Sequence, residues 1–240
     1  MKVIVCDNYD EMSLQGAKIF EKQIREKANS ILGLATGSTP IGMYQHLIKM
    51  HKEEGLDFSK ITSFNLDEYY PISQTNDQSY RYFMNEQLFN HINIDKNNTF
   101  VPNGEATDAD LECKQYDEKI AQYGGIDIQL LGIGRNGHIG FNEPDKKLFA
   151  STHKTDLTQD TIDANSRFFD DIKDVPTKAL TMGIGSIMKA KTVVLLASGK
   201  NKHEVVNAML DDFITTDIPS TLLKAHPDFI LICDKDAYEG

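Results

Sequence analysis

The chain has 240 residues, of which 40% are hydrophobic and 25% charged, and its formal net charge is −11. This length suits one large α/β domain with a full core, and the composition is that of an ordinary soluble globular protein. The negative charge argues against nucleic-acid or acidic-membrane partners, because both need a basic face that neutralises many phosphates. A small anionic substrate is still allowed, since a few local cations and backbone N–H groups can hold it.

The three cysteines, Cys6, Cys113 and Cys233, lie far apart and form no Cys-x-x-Cys pair. They are therefore expected to be reduced thiols rather than metal ligands or disulfide partners. The apolar stretch at the start of the chain is too short for a signal peptide, and no segment approaches the ~18 apolar residues of a membrane span. A single-domain cytoplasmic protein comprising residues 1–240 is expected.

Short apolar runs alternate with amphipathic stretches along the chain. Strands are predicted at 3–6, 31–35, 61–66, 99–101, 126–131, 193–197 and 229–233, and helices at 10–28, 40–54, 79–91, 109–122 and 202–213. This alternation predicts βαβ units in a doubly wound, Rossmann-like sandwich, an α/β fold with a mostly parallel central sheet flanked by helices.

Boundary signals surround the predicted helix 40–54. Thr39 is expected as its N-cap, Pro40 as its first helical residue and Gly55 just beyond its end. By contrast, the polar segment 146–176 is the least regular part of the chain, and we expect it to form a small lid.

A glycine-rich segment, Gly-Ile-Gly-Arg-Asn-Gly-His-Ile-Gly-Phe-Asn-Glu-Pro at 132–144, directly follows the strand predicted at 126–131. Open α/β sheets bind ligands at the carboxyl ends of their strands, so His138 is a candidate acid/base. Three of the glycines match the spacing of a dinucleotide fingerprint. Gly140 and Pro144 interrupt the long helix that this fingerprint requires, so no nucleotide cofactor is expected.

Three other segments offer groups for an anion. Gly37, Ser38 and Thr39 precede the helix 40–54, where free N–H groups and the helix dipole favour a phosphate, although an ordinary capped turn explains them equally well. Lys202 opens a helix and Arg167 lies in the irregular segment, and both are candidate phosphate ligands. For either cation taken alone, a solvated surface side chain is the commoner explanation.

Asp67 and Glu68 follow the strand predicted at 61–66. If the alternation of that strand continues, the two side chains point in opposite directions, so that one faces the cleft. Two solvated acids at a turn are the alternative, and they would be favoured if this motif stood alone.

Metal and nucleophile chemistry find little support in the sequence. His203 and Glu204 begin like a zinc-protease helix, but Asn207 stands where the second histidine is required, and the other histidines lack ligand spacing. No Gly-x-Ser-x-Gly elbow is present either. We expect neither a metal nor any other cofactor.

Taken together in order, these motifs resemble the glucosamine-6-phosphate deaminases, also called glucosamine-6-phosphate isomerases, over essentially the whole chain. The segments that carry the resemblance are Ala-Thr-Gly-Ser-Thr-Pro at 35–40, Phe-Asn-Leu-Asp-Glu-Tyr at 64–69, the segment 132–144, Ala-Asn-Ser-Arg-Phe-Phe at 164–169 and Ala-His-Pro at 225–227. The resemblance implies conversion of glucosamine 6-phosphate and water to fructose 6-phosphate and ammonia, a step of amino-sugar catabolism.

The resemblance also implies roles for individual residues. Asp67 would be the base that moves a proton between C2 and C1, and His138 would assist ring opening, oriented and tuned by Asn136 and Glu143. Many family members have Asp in place of Asn136, so this chain has one negative charge fewer beside the imidazole.

The substrate phosphate is likewise assigned by the resemblance. Ser38 and Thr39, with their helix N-terminus beside Gly37, would hold it together with Arg167 and Lys202, and the segment around Arg167 would be part of the lid.

Two alternatives use the same fold. In 6-phosphogluconolactonases, an Asp-Glu-Arg turn and a Ser-Leu-Phe-Pro ending tend to stand where this chain has Asp-Glu-Tyr at 67–69 and Phe-Asn-Glu-Pro at 141–144. A sugar-phosphate sensor of a transcriptional regulator would need a fused helix-turn-helix, for which we expect no room before the first strand.

The oligomeric state is also an expectation from the resemblance. Some family members are hexamers activated by N-acetylglucosamine-6-phosphate, and they carry a C-terminal extension, whereas this chain ends at Gly240. A monomer without allosteric activation is favoured, and a homo-oligomer is the alternative.

Overall fold

The computed structural model describes residues 1–159, 162 and 175–240. Its strands are β1 (Lys2–Cys6), β2 (Ile31–Leu34), β3 (Thr62–Asn65), β4 (Asp67–Tyr70), β5 (Thr99–Phe100), β6 (Ile128–Gly132), β7 (His153–Asp156), β8 (Lys178–Thr181), β9 (Thr192–Ala197) and β10 (Phe229–Asp234). Its α-helices are α1 (Tyr9–Glu26), α2 (Ile41–Glu54), α3 (Tyr80–Gln87), α4 (Ala109–Gln122), α5 (Ile184–Ile187), α6 (His203–Leu210) and α7 (Lys235–Glu239). Short 3₁₀ helices lie at Phe89–His91, Lys96–Asn98, Lys200–Lys202 and Pro219–Ala225.

Seven strands form one parallel sheet in the order β1-β10-β9-β6-β2-β3-β5. The chain leaves β2 towards β3 on one side and leaves β6 towards β9 on the other, so the order reverses between the neighbours β2 and β6. Ligands of doubly wound folds bind in the crevice at such a switch point. The predicted α/β sandwich is confirmed, and the loops after β2 and β6 flank its crevice.

The central strands explain why the sequence reads as apolar runs. Strand β2 is buried at every residue, and β9 at all but its first. Parallel strands covered on both faces require this continuous hydrophobicity. Helix α1 provides part of the cover, since it packs against α2, β9 and β10. No helix among the described residues is long and apolar enough to span a bilayer.

A second sheet, antiparallel in the order β4-β8-β7, was not predicted. It begins where β3 ends: Leu66 separates the two strands, and it donates its N–H to Leu34 O at 2.9 Å while its carbonyl accepts from Met182 N at 2.8 Å. The strand predicted at 61–66 therefore ends at Asn65, and Asp67 starts a strand of the other sheet. Strands β4 (Asp-Glu-Tyr-Tyr) and β7 (His-Lys-Thr-Asp) contain no apolar run of the kind that marks the central strands.

Two predictions around α2 have different outcomes. Gly55 ends the helix in the left-handed conformation (φ 67°), as expected. The N-cap prediction for Thr39 is wrong, because Pro40 occupies the cap position and no side chain caps the helix there. The N–H of Gly42 instead donates to the hydroxyl of Tyr9 at 2.9 Å, so α1 supplies the group that a cap would provide.

The segment 146–176 is more regular than expected over part of its length. Strand β7 lies within it and pairs with β8. Residues 160, 161 and 163–174 lie outside the described residues. The lid therefore stays a prediction.

Candidate active site

Asp67 lies at the start of β4, directly opposite Thr181 of β8, and is only 6% exposed. No described residue donates a hydrogen bond to its carboxylate. Burial raises the pKa of Asp67 to about 8, and the charge of Glu68 adds to this shift. A carboxylate that is desolvated and lacks donors is a stronger base than one in water, which suits proton abstraction.

Glu68 points away from Asp67, as the alternation predicted, and has a structural role. Its Oε1 accepts from the N–H groups of Tyr69 at 2.9 Å and Tyr80 at 2.8 Å, and its Oε2 accepts from Arg81 N at 2.9 Å. Burial raises the pKa of Glu68 to about 7, and these donors with the Arg81 charge oppose the shift. The carboxylate thus satisfies the first N–H groups of α3 and ties this helix to β4.

Three aromatic rings pack beside these carboxyl groups. Tyr69 and Tyr80 are in contact with a centroid separation of 4.7 Å, and the Tyr80 ring is stacked 6.2 Å from that of Phe141. These residues belong to a small second core. Sequence periodicity did not indicate this second core.

The loop after β6 places the His138 ring directly against the backbone of Gly134. A Cβ on Gly134 would lie 2.3 Å from ring atoms of His138, so only glycine fits there. The N–H of Gly134 also donates to the carbonyl of His138 at 2.9 Å, which closes the loop on itself. These contacts explain the first part of the glycine pattern without any nucleotide.

Asn136, His138 and Glu143 form one connected unit, as the resemblance implied. Glu143 Oε1 lies 3.2 Å from His138 Nδ1, and its Oε2 accepts from Asn136 Nδ2 at 2.7 Å. Asn136 Oδ1 in turn accepts from the backbone N–H of His138 at 3.2 Å. The contact at Nδ1 has an ion-pair distance but not the alignment of a hydrogen bond, so the carboxylate acts on the imidazole through its charge.

Gly140 connects this loop to Asp67. It has a φ of +58°, and a Cβ there would lie 2.8 Å from Thr181 Oγ1 and 3.4 Å from Asp67 Oδ2. Thr181 Oγ1 accepts from Phe141 N at 3.1 Å, and Asn142 Nδ2 donates to the carbonyls of Ile139 and Met182, both at 2.8 Å. The loop after β6 is thus fastened to β8, the strand that pairs with β4 opposite Asp67.

Thr181 and Asn142 were not among the residues predicted for the site. Both are buried polar residues. Asn142 stands inside a motif already recognised, so its amide was a usable signal, whereas nothing local marked Thr181.

The turn after β2 presents backbone donors to the same edge of the sheet. No described residue accepts a hydrogen bond from the N–H groups of Gly37, Ser38 and Thr39. The hydroxyl of Tyr9 lies 3.1 Å from the carbonyls of both Ser38 and Thr39, so α1 holds this turn in place. Consecutive free N–H groups of this kind suit a phosphate oxygen. Sequence reasoning missed the contribution of Tyr9.

Lys202 lies just before α6, and its ammonium group donates to the carbonyl of Ile133 at 2.6 Å. Burial lowers the pKa of Lys202, and the positive charge of Arg135 adds to this effect. A cation beside another cation is well placed for an anionic ligand. The other predicted phosphate ligand, Arg167, lies outside the described residues.

The described side chains contain no cluster of three or more His, Cys, Asp or Glu that could hold a metal ion. The candidate residues are a buried carboxylate, a histidine with a carboxylate 3.2 Å from its Nδ1, and two segments whose groups suit an anion, all at the carboxyl edge around the switch point. This set can move protons on a phosphorylated small molecule.

Comparison with known proteins places these features in a family. The sequence profile described as "Glucosamine-6-phosphate isomerases/6-phosphogluconolactonase" matches residues 9–231. A glucosamine-6-phosphate deaminase of Clostridium perfringens strain 13 is 60% identical over 237 residues, which cover 99% of this chain and 98% of that protein. The enzyme of the same name from Thermoanaerobacter pseudethanolicus is 56% identical, with coverages of 99% and 94%.

Solved structures agree with this placement. A monomeric glucosamine-6-phosphate deaminase superimposes with a TM-score of 0.96 at 46% identity, covering 99% of this chain and 98% of that one. A 6-phosphogluconolactonase from Thermotoga maritima has a TM-score of 0.76 at 21% identity, with coverages of 98% and 99%. The latter likeness concerns the fold alone.

Proposed function

The chain belongs to the family of glucosamine-6-phosphate isomerases and 6-phosphogluconolactonases, and we propose that it acts there as a glucosamine-6-phosphate deaminase. It converts glucosamine 6-phosphate and water to fructose 6-phosphate and ammonia. The observation that carries this proposal is the buried Asp67 carboxylate, raised in pKa to about 8 and lying against Gly140 of the His138 loop. Isomerisation requires a strong base at a carbon acid, and this group meets that need.

Ring opening is the first chemical step, and we assign it to His138. The imidazole takes the proton of the C1 hydroxyl and delivers it to the ring oxygen, so the C1–O5 bond breaks and an aldehyde forms. Glu143 at 3.2 Å from Nδ1 stabilises the positively charged ring during this transfer. Asn136 keeps the carboxylate in place through its 2.7 Å hydrogen bond.

Isomerisation and deamination follow on the open chain. Asp67 removes the C2 proton as the double bond moves from C1–O to C1–C2, and the same carboxyl returns the proton to C1. The C2 amine thereby becomes an imine, and the proton that it loses balances the one gained by the C1 oxygen. The imine then adds water and expels ammonia, giving the C2 ketone of fructose 6-phosphate. The net reaction consumes one water and releases one ammonia, with no redox change.

Anchoring of the phosphate is assigned to the two segments at the sheet edge. The turn at 37–39 follows β2 and Lys202 follows β9, so both lie at the carboxyl edge of the same sheet, and Arg167 is proposed as a further ligand. A fixed phosphate holds the flexible open chain so that C2 stays beside the base, which lowers the entropic cost of reaction.

The competing lactonase activity needs only activation of water on an ester. Such a reaction does not require a buried carboxylate to which no described residue donates a hydrogen bond. The Asp-Glu-Arg and Ser-Leu-Phe-Pro sequences typical of lactonases are also absent from segments 67–69 and 141–144. The two activities are separated by measuring ammonia release from glucosamine 6-phosphate beside hydrolysis of 6-phosphogluconolactone. Ammonia release with little lactone hydrolysis supports the proposal, and the reverse refutes it. Binding without either turnover would indicate a sensor.

We also propose that the protein is a monomer, because the solved deaminase that is 46% identical to it is monomeric. Light scattering after gel filtration should then give a mass near the 27.0 kDa of one chain. A mass that is a multiple of this value would refute the monomer. The cytoplasmic location stays a prediction.

A further inference from the structure

Asp234 is a buried carboxylate that the reaction itself does not use. It ends β10 and is 4% exposed. Its Oδ2 accepts from the hydroxyl of Ser198 at 2.5 Å, and its Oδ1 accepts from the N–H groups of Gly199 at 3.0 Å and Ala237 at 2.8 Å. A buried charge is costly unless it is fully hydrogen-bonded, and these three donors meet that condition.

The donors belong to two different segments. Ala237 lies in the first turn of α7, whereas Ser198 and Gly199 form the turn that leaves β9. Asp234 therefore fastens the turn after β9 to the end of the neighbouring strand. Gly199 has a φ of +90°, so the chain reverses sharply at the residue that Asp234 holds.

This turn carries the proposed phosphate ligand. The N–H of Lys202 donates to the carbonyl of Gly199 at 2.9 Å, so the backbone of Lys202 is fixed relative to Asp234. At its other end the Lys202 side chain reaches the carbonyl of Ile133 at 2.6 Å, beside the His138 loop. A displacement of Gly199 would move the ammonium group away from this loop.

We propose that Asp234 is a positioning residue for the substrate phosphate, which acts by holding the Ser198–Gly199 turn so that Lys202 stays at the crevice. The proposal rests on the proposed function, since it takes Lys202 as a phosphate ligand. Asp234 itself contacts no substrate. Its loss should weaken binding of phosphorylated sugars and leave the proton-transfer groups at Asp67 and His138 in place.

The first test compares Asp234→Asn with Asp236→Asn, an exposed acid two residues further along that loses the same charge. Asp234→Asn should raise KM for glucosamine 6-phosphate about tenfold with kcat within about twofold, and Asp236→Asn should change neither. A fall in kcat at unchanged KM would overturn the proposal. If the only defect of Asp234→Asn were a smaller folded fraction, the apparent kcat would fall at unchanged KM. That result would also overturn the proposal.

The second test asks whether Asp234 acts through Lys202. In a Lys202→Ala background, Asp234→Asn should have no further effect on KM, whereas an undiminished tenfold increase would show an independent effect and contradict the proposal. If Asp234→Asn does not fold, Ser198→Ala replaces it, with an expected increase of about threefold that also vanishes in the Lys202→Ala background.

Calorimetry separates this proposal from the proposed function. The dissociation constant of fructose 6-phosphate, measured without turnover, should increase by the same factor in Asp234→Asn, and an unchanged constant would overturn the positioning role. If the wild type binds this sugar phosphate but releases no ammonia, the deaminase activity is refuted while the binding comparison still decides the role of Asp234.

Discussion

Asn136 donates its side-chain amide to Oε2 of Glu143 across 2.7 Å and so fixes the orientation of this carboxylate. The remaining oxygen of Glu143 is left to face His138 Nδ1 at 3.2 Å. An aspartate in place of Asn136 would have no proton to donate unless it were itself protonated. The hydrogen bond that holds Glu143 beside His138 therefore depends on whether position 136 is Asn or Asp.

Asn136→Asp tests this dependence. The variant would place a carboxyl group where the amide donates, so Glu143 would lose this hydrogen bond or share a proton with a second carboxyl. We expect kcat to fall about three- to tenfold with KM within about twofold, because this unit serves ring opening and not phosphate binding. The measurement is kcat and KM for wild type and variant at one pH.

Asn136→Ala is the control, because it removes the amide donor without adding charge. It should lower kcat to a similar extent, because both variants lose the hydrogen bond to Glu143. Unchanged kcat in both variants would show that ring opening does not need this hydrogen bond.

The pH dependence of kcat/KM reports on Asp67 in the free enzyme. Its pKa is raised to about 8 by burial, and a base works only when deprotonated, so kcat/KM should rise with pH up to about 8 and then level off. The substrate phosphate ionises near pH 6, so any change in kcat/KM that it causes lies at lower pH than the change due to Asp67. A plateau already reached at pH 6 would contradict the buried-base role.

Lys202→Ala should weaken binding that depends on the phosphate. The ammonium group is a uniform binding contact, so KM should rise about ten- to a hundredfold while kcat changes little. Wild type and variant should turn over unphosphorylated glucosamine, assayed at high concentration, at the same low rate. A loss of kcat at fixed KM would show that the assigned role is wrong.

Asp127 offers a stability test away from the site. Its carboxylate is buried at the opposite edge of the sheet, where Lys191, Lys27 and the N–H of Ile31 donate to it. Burial opposes ionisation, but these donors outweigh it and lower the pKa of Asp127. A lowered folded-state pKa means stability that is present above the unfolded value of about 3.9 and lost as pH falls through the folded one.

Asp127→Asn should therefore reduce the free energy of unfolding at pH 7 by about 1–2 kcal/mol, a modest value because both lysines are partly exposed. The difference from wild type should shrink below pH 4. Asp156→Asn, which breaks the ion pair between an 83% exposed Asp156 and Lys178, should cost less than about 0.5 kcal/mol. Equal losses in urea titrations would contradict the structural interpretation.

The parallel sheet was predictable because burial on both faces forces long apolar runs such as β9. The second sheet was not, since β4 and β7 contain no such apolar run and the pairing of β4 with β8 joins positions over 100 residues apart in the chain. Asp67 was predicted to follow the end of a strand, whereas in the structure it is the first residue of β4.

Some contacts of the candidate site were likewise predictable from the sequence and others were not. His138, Asn136 and Glu143 lie in one loop, so their contact follows from local sequence. The supporting contacts of Tyr9 and Thr181 join distant elements, and only the fold brings them to the turn at 37–39 and to Phe141. Packing partners of this kind leave no local pattern in a single sequence.

Proton transfer by Asp67 is measured most directly with the Asp67→Asn variant in deuterium oxide. Wild-type enzyme acting on glucosamine 6-phosphate should incorporate solvent deuterium at C1 of fructose 6-phosphate to the extent that the carboxyl exchanges its proton. The isosteric amide should still bind the sugar phosphate, but it should show neither ammonia release nor exchange of the C2 proton. Retained exchange at C2 in Asp67→Asn would show that another group is the base.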